Sequence, residues 1–186
     1  MLSDAEKNYL AAERLAPTRS EYLDGQVFPL PDATPEQLLI AENTALLLAS
    51  QVAGRGWAVL GPGTRLHALG AGLFTYPDVA LVGGKVLRLA DAHRDTLLNP
   101  TLLVKVLPHP MPPHFQEIFE AYYAIPTVQH VVLITEYAAR VSLGSRTEEG
   151  SLEVQGFTGL AAVLTIPDLE LALPLAEIYH GVALRA

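Results

Sequence analysis

The chain has 186 residues, half of them hydrophobic and only 17% charged, which excludes a disordered polar chain and suits one domain with its own core. It has no cysteine, so disulfides, thiolate catalysis and cysteine-rich zinc sites are excluded together. Lys and Arg number 12 against 20 Asp and Glu, a formal charge of -8 that opposes bulk attraction to nucleic acid or anionic lipid while leaving room for a local basic groove. The N-terminal MLSDAEKNYL has no apolar signal region, and no apolar run approaches the ~18 residues of a membrane span. The expectation is a soluble, cytoplasmic protein with no membrane partner.

Ser3 followed by Glu6 is a capping box, which predicts a first helix running to Ala16 and stopped by Pro17. Glu21-Tyr22-Leu23 and Gln26-Val27-Phe28 flank Asp24-Gly25, the pattern of a hairpin with a tight turn. Thr34, Pro35 and Gln37 open a longer helix that Gly54 ends. Its Leu38, Leu39, Ala45, Leu46, Leu48 and Ala49 predict a broad face buried against a sheet.

Beyond Gly54 the period shortens. Trp57 to Leu60, Arg65 to Leu69 and Phe74 to Val82 read as strands, Leu87 to Asn99 as a loop, and Thr101 to Leu107 as a central strand covered on both faces. The run from Pro108 to Pro113 cannot continue a ladder, because most of its residues lack an amide donor or precede proline. A helix from His114 to Ala124 and a strand from His130 to Thr135 come next. Strands are then expected at Ala139 to Ser145, Leu152 to Phe157 and Ala162 to Leu164, with a last helix near Leu175 to Tyr179. This order predicts one α/β domain over residues 1–186 with a mixed sheet.

Two charges do not fit their surroundings: Asp78 at the mouth of an apolar strand, and Lys105 in the middle of TLLVKVL. A Lys at the centre of a buried strand is costly unless a carboxylate meets it, so neighbouring strands with paired side chains are the economical arrangement. The residues alone leave open whether such a pair does chemistry, merely ties two strands, or does not exist because Lys105 points outward from an edge.

Other polar residues read more plainly. His109 and His114 bracket the proline-rich run without a ligand spacing and are expected in an exposed loop, while His67, His93, His130 and His180 form no readable catalytic set. Gly61-Pro62-Gly63-Thr64-Arg65 lacks the ending of a phosphate loop and reads as a hairpin turn, with Arg65 at the surface or against a phosphate. The arginines are dispersed and form no basic stripe.

The string YPDVALV (Tyr76 to Val82), then RDTLLNPTLLVKVL (Arg94 to Leu107), a helix closing on Ala121-Tyr122-Tyr123, and HVVLI resemble, in this order, the Uma-two family of putative restriction endonucleases. The hairpin EYLDGQV (Glu21 to Val27) and the closing IPDLELALPLAEIY (Ile166 to Tyr179) fit the same family, so the resemblance spans nearly the whole chain. It implies a restriction-endonuclease-like fold of the PD-(D/E)XK superfamily, an αβββαβ core whose mixed central sheet is flanked by helices. It also implies DNA as partner, Mg²⁺ as cofactor, and phosphodiester hydrolysis through water activated on the metal.

Under that resemblance Asp78 matches the metal-binding aspartate and Glu21 an acidic position of the hairpin. Lys105 stands where the family has an acidic ligand, Ile118 where it has a lysine, and Gln37 where it has a histidine. An ammonium ~4 Å from a divalent ion is repelled by roughly 8 kcal/mol at an effective dielectric of about 20, whereas the same ammonium beside Asp78 gains roughly 4 kcal/mol before desolvation. The expectation is that Lys105 takes the place of the metal and leaves a weak or dead nuclease. If catalysis survives, Asp78 holds the metal, Glu21 assists, with Glu117 or Glu120 as other sources of the missing carboxylate, and Lys105 faces the transition-state charge. The alternative is a non-catalytic binding or assembly module that forms a homodimer through apolar strands or the tail.

Overall fold

Local rules set the first elements of the computed structural model, which describes residues 2–107 and 109–185. Pro108, at the head of the proline-rich run, lies outside the described residues. Helix α1 (Asp4–Glu13) starts in the expected capping box: Ser3 Oγ accepts from Glu6 N at 3.2 Å, and Ser3 N donates to Glu6 Oε2 at 2.7 Å. It stops before Ala16, which precedes Pro17 and is thereby pushed from helical geometry.

Strands β1 (Ser20–Leu23) and β2 (Gln26–Pro29) form the hairpin. Both turn residues are left-handed, Asp24 at φ 43° and Gly25 at φ 89°, the combination that asks for an Asp-Gly turn. Helix α2 (Pro35–Gln51) has its own capping box on Thr34 and Gln37. Its buried stripe is Ile40, Ala41, Thr44 and Leu48, narrower than the broad face expected from composition. Leu38, Leu46 and Ala49 are exposed, because only one side of α2 meets the sheet and the C-terminal elements.

The next strands are β3 (Ala58–Leu60), β4 (Arg65–Ala68), β5 (Leu73–Thr75) and β6 (Val79–Val82). The stretch Phe74 to Val82, expected as one strand, is therefore two strands in different sheets. Tyr76-Pro77-Asp78 is the crossing point, where Pro77 has no amide to continue either ladder. A short strand β7 (Thr96–Leu97) interrupts the expected loop and pairs in parallel with β4.

Strand β8 (Leu102–Leu107) precedes helix α3 (Phe115–Tyr123) and strand β9 (His130–Thr135), which lies parallel to β8. Strands β10 (Arg140–Arg146), β11 (Leu152–Thr158), β12 (Val163–Ile166) and β13 (Leu171–Pro174) come after it, then helix α4 (Leu175–Ile178). Strand β13 has no counterpart among the expected elements. One sheet runs β2-β1-β5-β4-β7, a second β11-β10-β9-β8-β6-β3, and β12 pairs with β13 alone. The result is a mixed α/β fold with β8 in the interior of the larger sheet, as its apolar run requires.

Alternation along β8 divides its side chains between two cores. Leu102, Val104 and Val106 join the core on the α2 side, whereas Leu103 joins the core that contains Ile118, Ala121 and Tyr122 of α3. Lys105 shares the parity of Leu103, so its side chain emerges on the α3 side, between the two sheets' ends. No helix among the described residues is long and apolar enough to cross a membrane.

Candidate active-site cleft

A cleft of about 520 Å³ opens where the small and large sheets part, and its lining includes Glu21, Asp78, Lys105, Gln37 and Ile118. The three residues that the sequence placed foremost in the site, Asp78, Lys105 and Glu21, thus meet at one place. Pairing of β6 with β8 sets Val79 opposite Val104, and the Asp78 amide donates to the Val104 carbonyl at 3.0 Å, so Asp78 continues the ladder beside Lys105. Lys105 Nζ donates to the Tyr76 carbonyl at 3.1 Å and stands 3.7 Å from Asp78 Oδ2. That separation is an ion pair without a direct hydrogen bond.

Asp78 Oδ2 accepts from the Val106 amide at 2.7 Å. Burial pushes the Asp78 carboxyl above the ordinary aspartate value, against the opposing pull of the Lys105 ammonium and the Val106 amide. Both side chains still reach the cleft, at 16% exposure for Lys105 and 23% for Asp78.

Glu21 comes from β1 on the opposite wall, where its side chain is only 4% exposed. Thr75 Oγ1 donates to Glu21 Oε1 at 2.5 Å, and His114 Nε2 lies 3.6 Å from Glu21 Oε2. The His114 ring stacks on Phe28 with centroids 4.0 Å apart and 20° between planes. The exposed-loop reading of His114 therefore fails: the residue stands at the start of α3 and turns its ring into the cleft. Nothing local in the sequence signals this, because Glu21 and Phe28 reach His114 through the packing of the hairpin.

Behind the cleft the Tyr122 hydroxyl is fully buried and has no hydrogen-bond partner among the described residues. Burial, then the Glu21 charge, push its titration far upward. At the mouth, Arg19 lies over the Tyr76 ring, 5.3 Å from its centroid. Gly63, at φ 95°, leaves the space that Arg19 uses, since a Cβ there would sit 2.6 Å from a guanidinium nitrogen. The turn Gly61-Pro62-Gly63 serves the cleft in this way and binds no phosphate through a helix terminus. Gln37 spends its side-chain oxygen on the α2 cap, accepting from Thr34 N at 3.0 Å.

Two other readings change. Arg65 is neither exposed nor free for a phosphate: it is buried, donates to Asp95 Oδ2 at 2.5 Å and to Thr96 Oγ1 at 3.2 Å. His130 is not isolated, since it bridges Ser145 Oγ at 2.9 Å and Asp168 Oδ2 at 2.8 Å, fixing the turn before β13 onto the large sheet. Glu117 and Glu120 are exposed on α3, as a solvated helix face requires.

The donor set does not fit a divalent metal. Hard cations take several oxygen ligands, and among the described residues no three His, Cys, Asp or Glu side chains are grouped to hold an ion. One oxygen of Asp78 is already engaged by the Val106 amide, and an ammonium stands 3.7 Å from it.

Residues 7–176 match the model of a family, Uma2, described as "Putative restriction endonuclease". An uncharacterized protein of Synechocystis sp. is 25% identical over 134 residues, covering 72% of this chain and 75% of that protein. The crystal structure of a putative nuclease of DUF820 from Anabaena variabilis shares the fold, with a TM-score of 0.68 and 15% identity over 88% of this chain and 91% of that one.

Proposed function

The chain belongs to the Uma2 family of putative restriction endonucleases, and from that premise we propose that its cleft receives nucleic-acid phosphates but is disarmed for metal-dependent hydrolysis. The observation that carries this reading is the Lys105 ammonium, 3.7 Å from Asp78 Oδ2, in the cleft where the family's cation would be held. Roughly 8 kcal/mol of repulsion at ~4 Å cancels what one carboxylate returns at the same distance, leaving little to offset the dehydration of the ion. Lys105 and Arg19 instead offer two positive groups to a phosphodiester.

Plasmid DNA incubated with Mg²⁺ or Mn²⁺ should remain uncut. Cleavage that Asp78→Ala abolishes would overturn the reading. Lys105→Glu should gain metal affinity, seen by calorimetry as heat of Mn²⁺ binding and as a metal-dependent rise in melting temperature; no gain would count against the exchange of metal for ammonium.

A second reading, assembly as a homodimer, is favoured by β11, an edge strand of the large sheet with exposed Leu152 and Val154. Sedimentation at micromolar concentration tests it, with Val154→Lys expected to dissociate any dimer built on that edge.

A further inference from the structure

The cleft also holds side chains whose chemistry needs no metal. His114 turns one ring edge toward Glu21, at 3.6 Å, and its side chain keeps 17% of its surface exposed, while Glu21 behind it is buried. Thr75 fixes the far oxygen of Glu21, and Phe28 fixes the plane of the imidazole. A buried carboxylate 3.6 Å behind a histidine whose plane is held by stacking favours one orientation of the imidazole electrostatically, without a direct hydrogen bond. Lys105 and Arg19 line the same cleft and supply positive charge.

We propose that this cleft is a metal-independent transesterification site for RNA, with His114 as general base, Glu21 as its positioning residue and Lys105 facing the phosphoryl oxygens. The proposal rests on the reading that the cleft takes a nucleic-acid phosphodiester. Its logic is the nucleophile. Without a Lewis acid to lower its pKa, water is a poor nucleophile near neutral pH, so intermolecular hydrolysis of a phosphodiester is slow even beside a general base. A ribose 2′-hydroxyl is already beside the phosphorus, and well-oriented intramolecular attack has an effective molarity of roughly 10⁵ M or more. Such a substrate needs only a base for its proton and a cation for the developing charge, which this cleft holds.

In the step, His114 removes the 2′-hydroxyl proton as the O2′–P bond forms and the P–O5′ bond breaks. The leaving 5′ oxygen takes a proton from water at the open mouth, and His114 returns its proton to solvent. The products are a 2′,3′-cyclic phosphate and a free 5′-hydroxyl, with no net proton consumed. Lys105 and Arg19 stabilise the extra charge on the phosphoryl oxygens in the transition state.

The test is a short labelled single-stranded RNA incubated with the full-length protein in excess EDTA. Fragments ending in 2′,3′-cyclic phosphate are expected, while DNA and 2′-O-methyl RNA of the same sequence stay intact. His114→Ala should slow cleavage about 100-fold or more, with partial rescue by added imidazole. Glu21→Gln should slow it less and His114→Asn as much as His114→Ala, with melting curves showing that the variants fold. No cleavage by the wild type, or equal cleavage by a folded His114 variant, overturns the proposal. Fluorescence anisotropy of 2′-O-methyl RNA separates the two failures: a strand bound but its RNA counterpart uncut defeats transesterification alone, and no binding defeats the nucleic-acid reading as well.

Discussion

Two aspartates, Asp95 and Asp78, each meet cations at a strand end, yet their surroundings drive them in opposite directions. Asp95 accepts from Arg14 at 2.8 and 2.9 Å and from Arg65 at 2.5 Å, and these guanidinium bonds, the Arg14 one foremost, hold its carboxyl well below the usual range. Asp78 has one amide and an ammonium 3.7 Å off, too little to offset burial, so its carboxyl rises. Bidentate, desolvated pairing consumes a charge for structure; a loose pair at a cleft wall leaves both partners with unspent capacity. The Lys105–Asp78 pair is thus the looser of the two contacts, and the same chain builds a far tighter clamp at Asp95.

Asp95→Ala puts the tight clamp to the hardest trial. It strips the Arg65 guanidinium, at 7% exposure, of its carboxylate and leaves Thr96 as its remaining side-chain partner. Asp95 itself is 34% exposed, which discounts the loss to about 2–3 kcal/mol, a fall of roughly 5–10 °C in melting temperature. A change below 2 °C would show that this network is no clamp. Lys105→Met should by contrast cost less, about 1 kcal/mol, since it removes one hydrogen bond to the Tyr76 carbonyl and an ion pair that has no direct hydrogen bond.

The same contrast explains what the sequence disclosed. Helix starts were legible because a capping box is local: Ser3 with Glu6 and Thr34 with Gln37 need no tertiary partner. The hairpin was legible because Asp24-Gly25 fits its left-handed turn. Asp78 and Lys105 were legible as charges in apolar strands, and their meeting followed from the cost of leaving either unpaired. The crossing at Tyr76-Pro77-Asp78 had one local sign, Pro77, but the apolar residues on both sides of it outweighed that sign in a reading by pattern. Glu21 with His114, and Ser145 with His130 and Asp168, depend on register and packing between distant segments, which no local pattern encodes.

Titration separates the two aspartates by opposite signs. Asp95 and Asp91 are depressed in the folded state, so their stabilisation is complete above the ordinary aspartate value near 3.9 and is lost as pH falls toward their lower folded values. Asp78 is raised, so any stability tied to its proton is present below about 3.9 and lost as pH rises through its folded value. Asp78→Asn should therefore raise the melting temperature at neutral pH, and the gain should vanish in acid. Melting temperatures from pH 3 to 7 check this, and a gain that persists at pH 3 would mean the effect is not protonation.

A subtler change is expected at the floor of the cleft. Tyr122 is fully buried on α3 with its hydroxyl unpartnered among the described residues, one turn after Ile118. A buried hydroxyl without a partner costs free energy, whereas phenylalanine fills the same ring volume without that cost. Tyr122→Phe should thus be neutral or stabilising by up to about 1 kcal/mol in a thermal melt. A loss larger than that would mean the hydroxyl has a partner in solution, and the cleft floor would then be polar and hydrated beneath Glu21. Since Glu21 is the residue proposed to orient His114, a hydrated floor would loosen that orientation, so the sign of this small change reports how firmly the base is held.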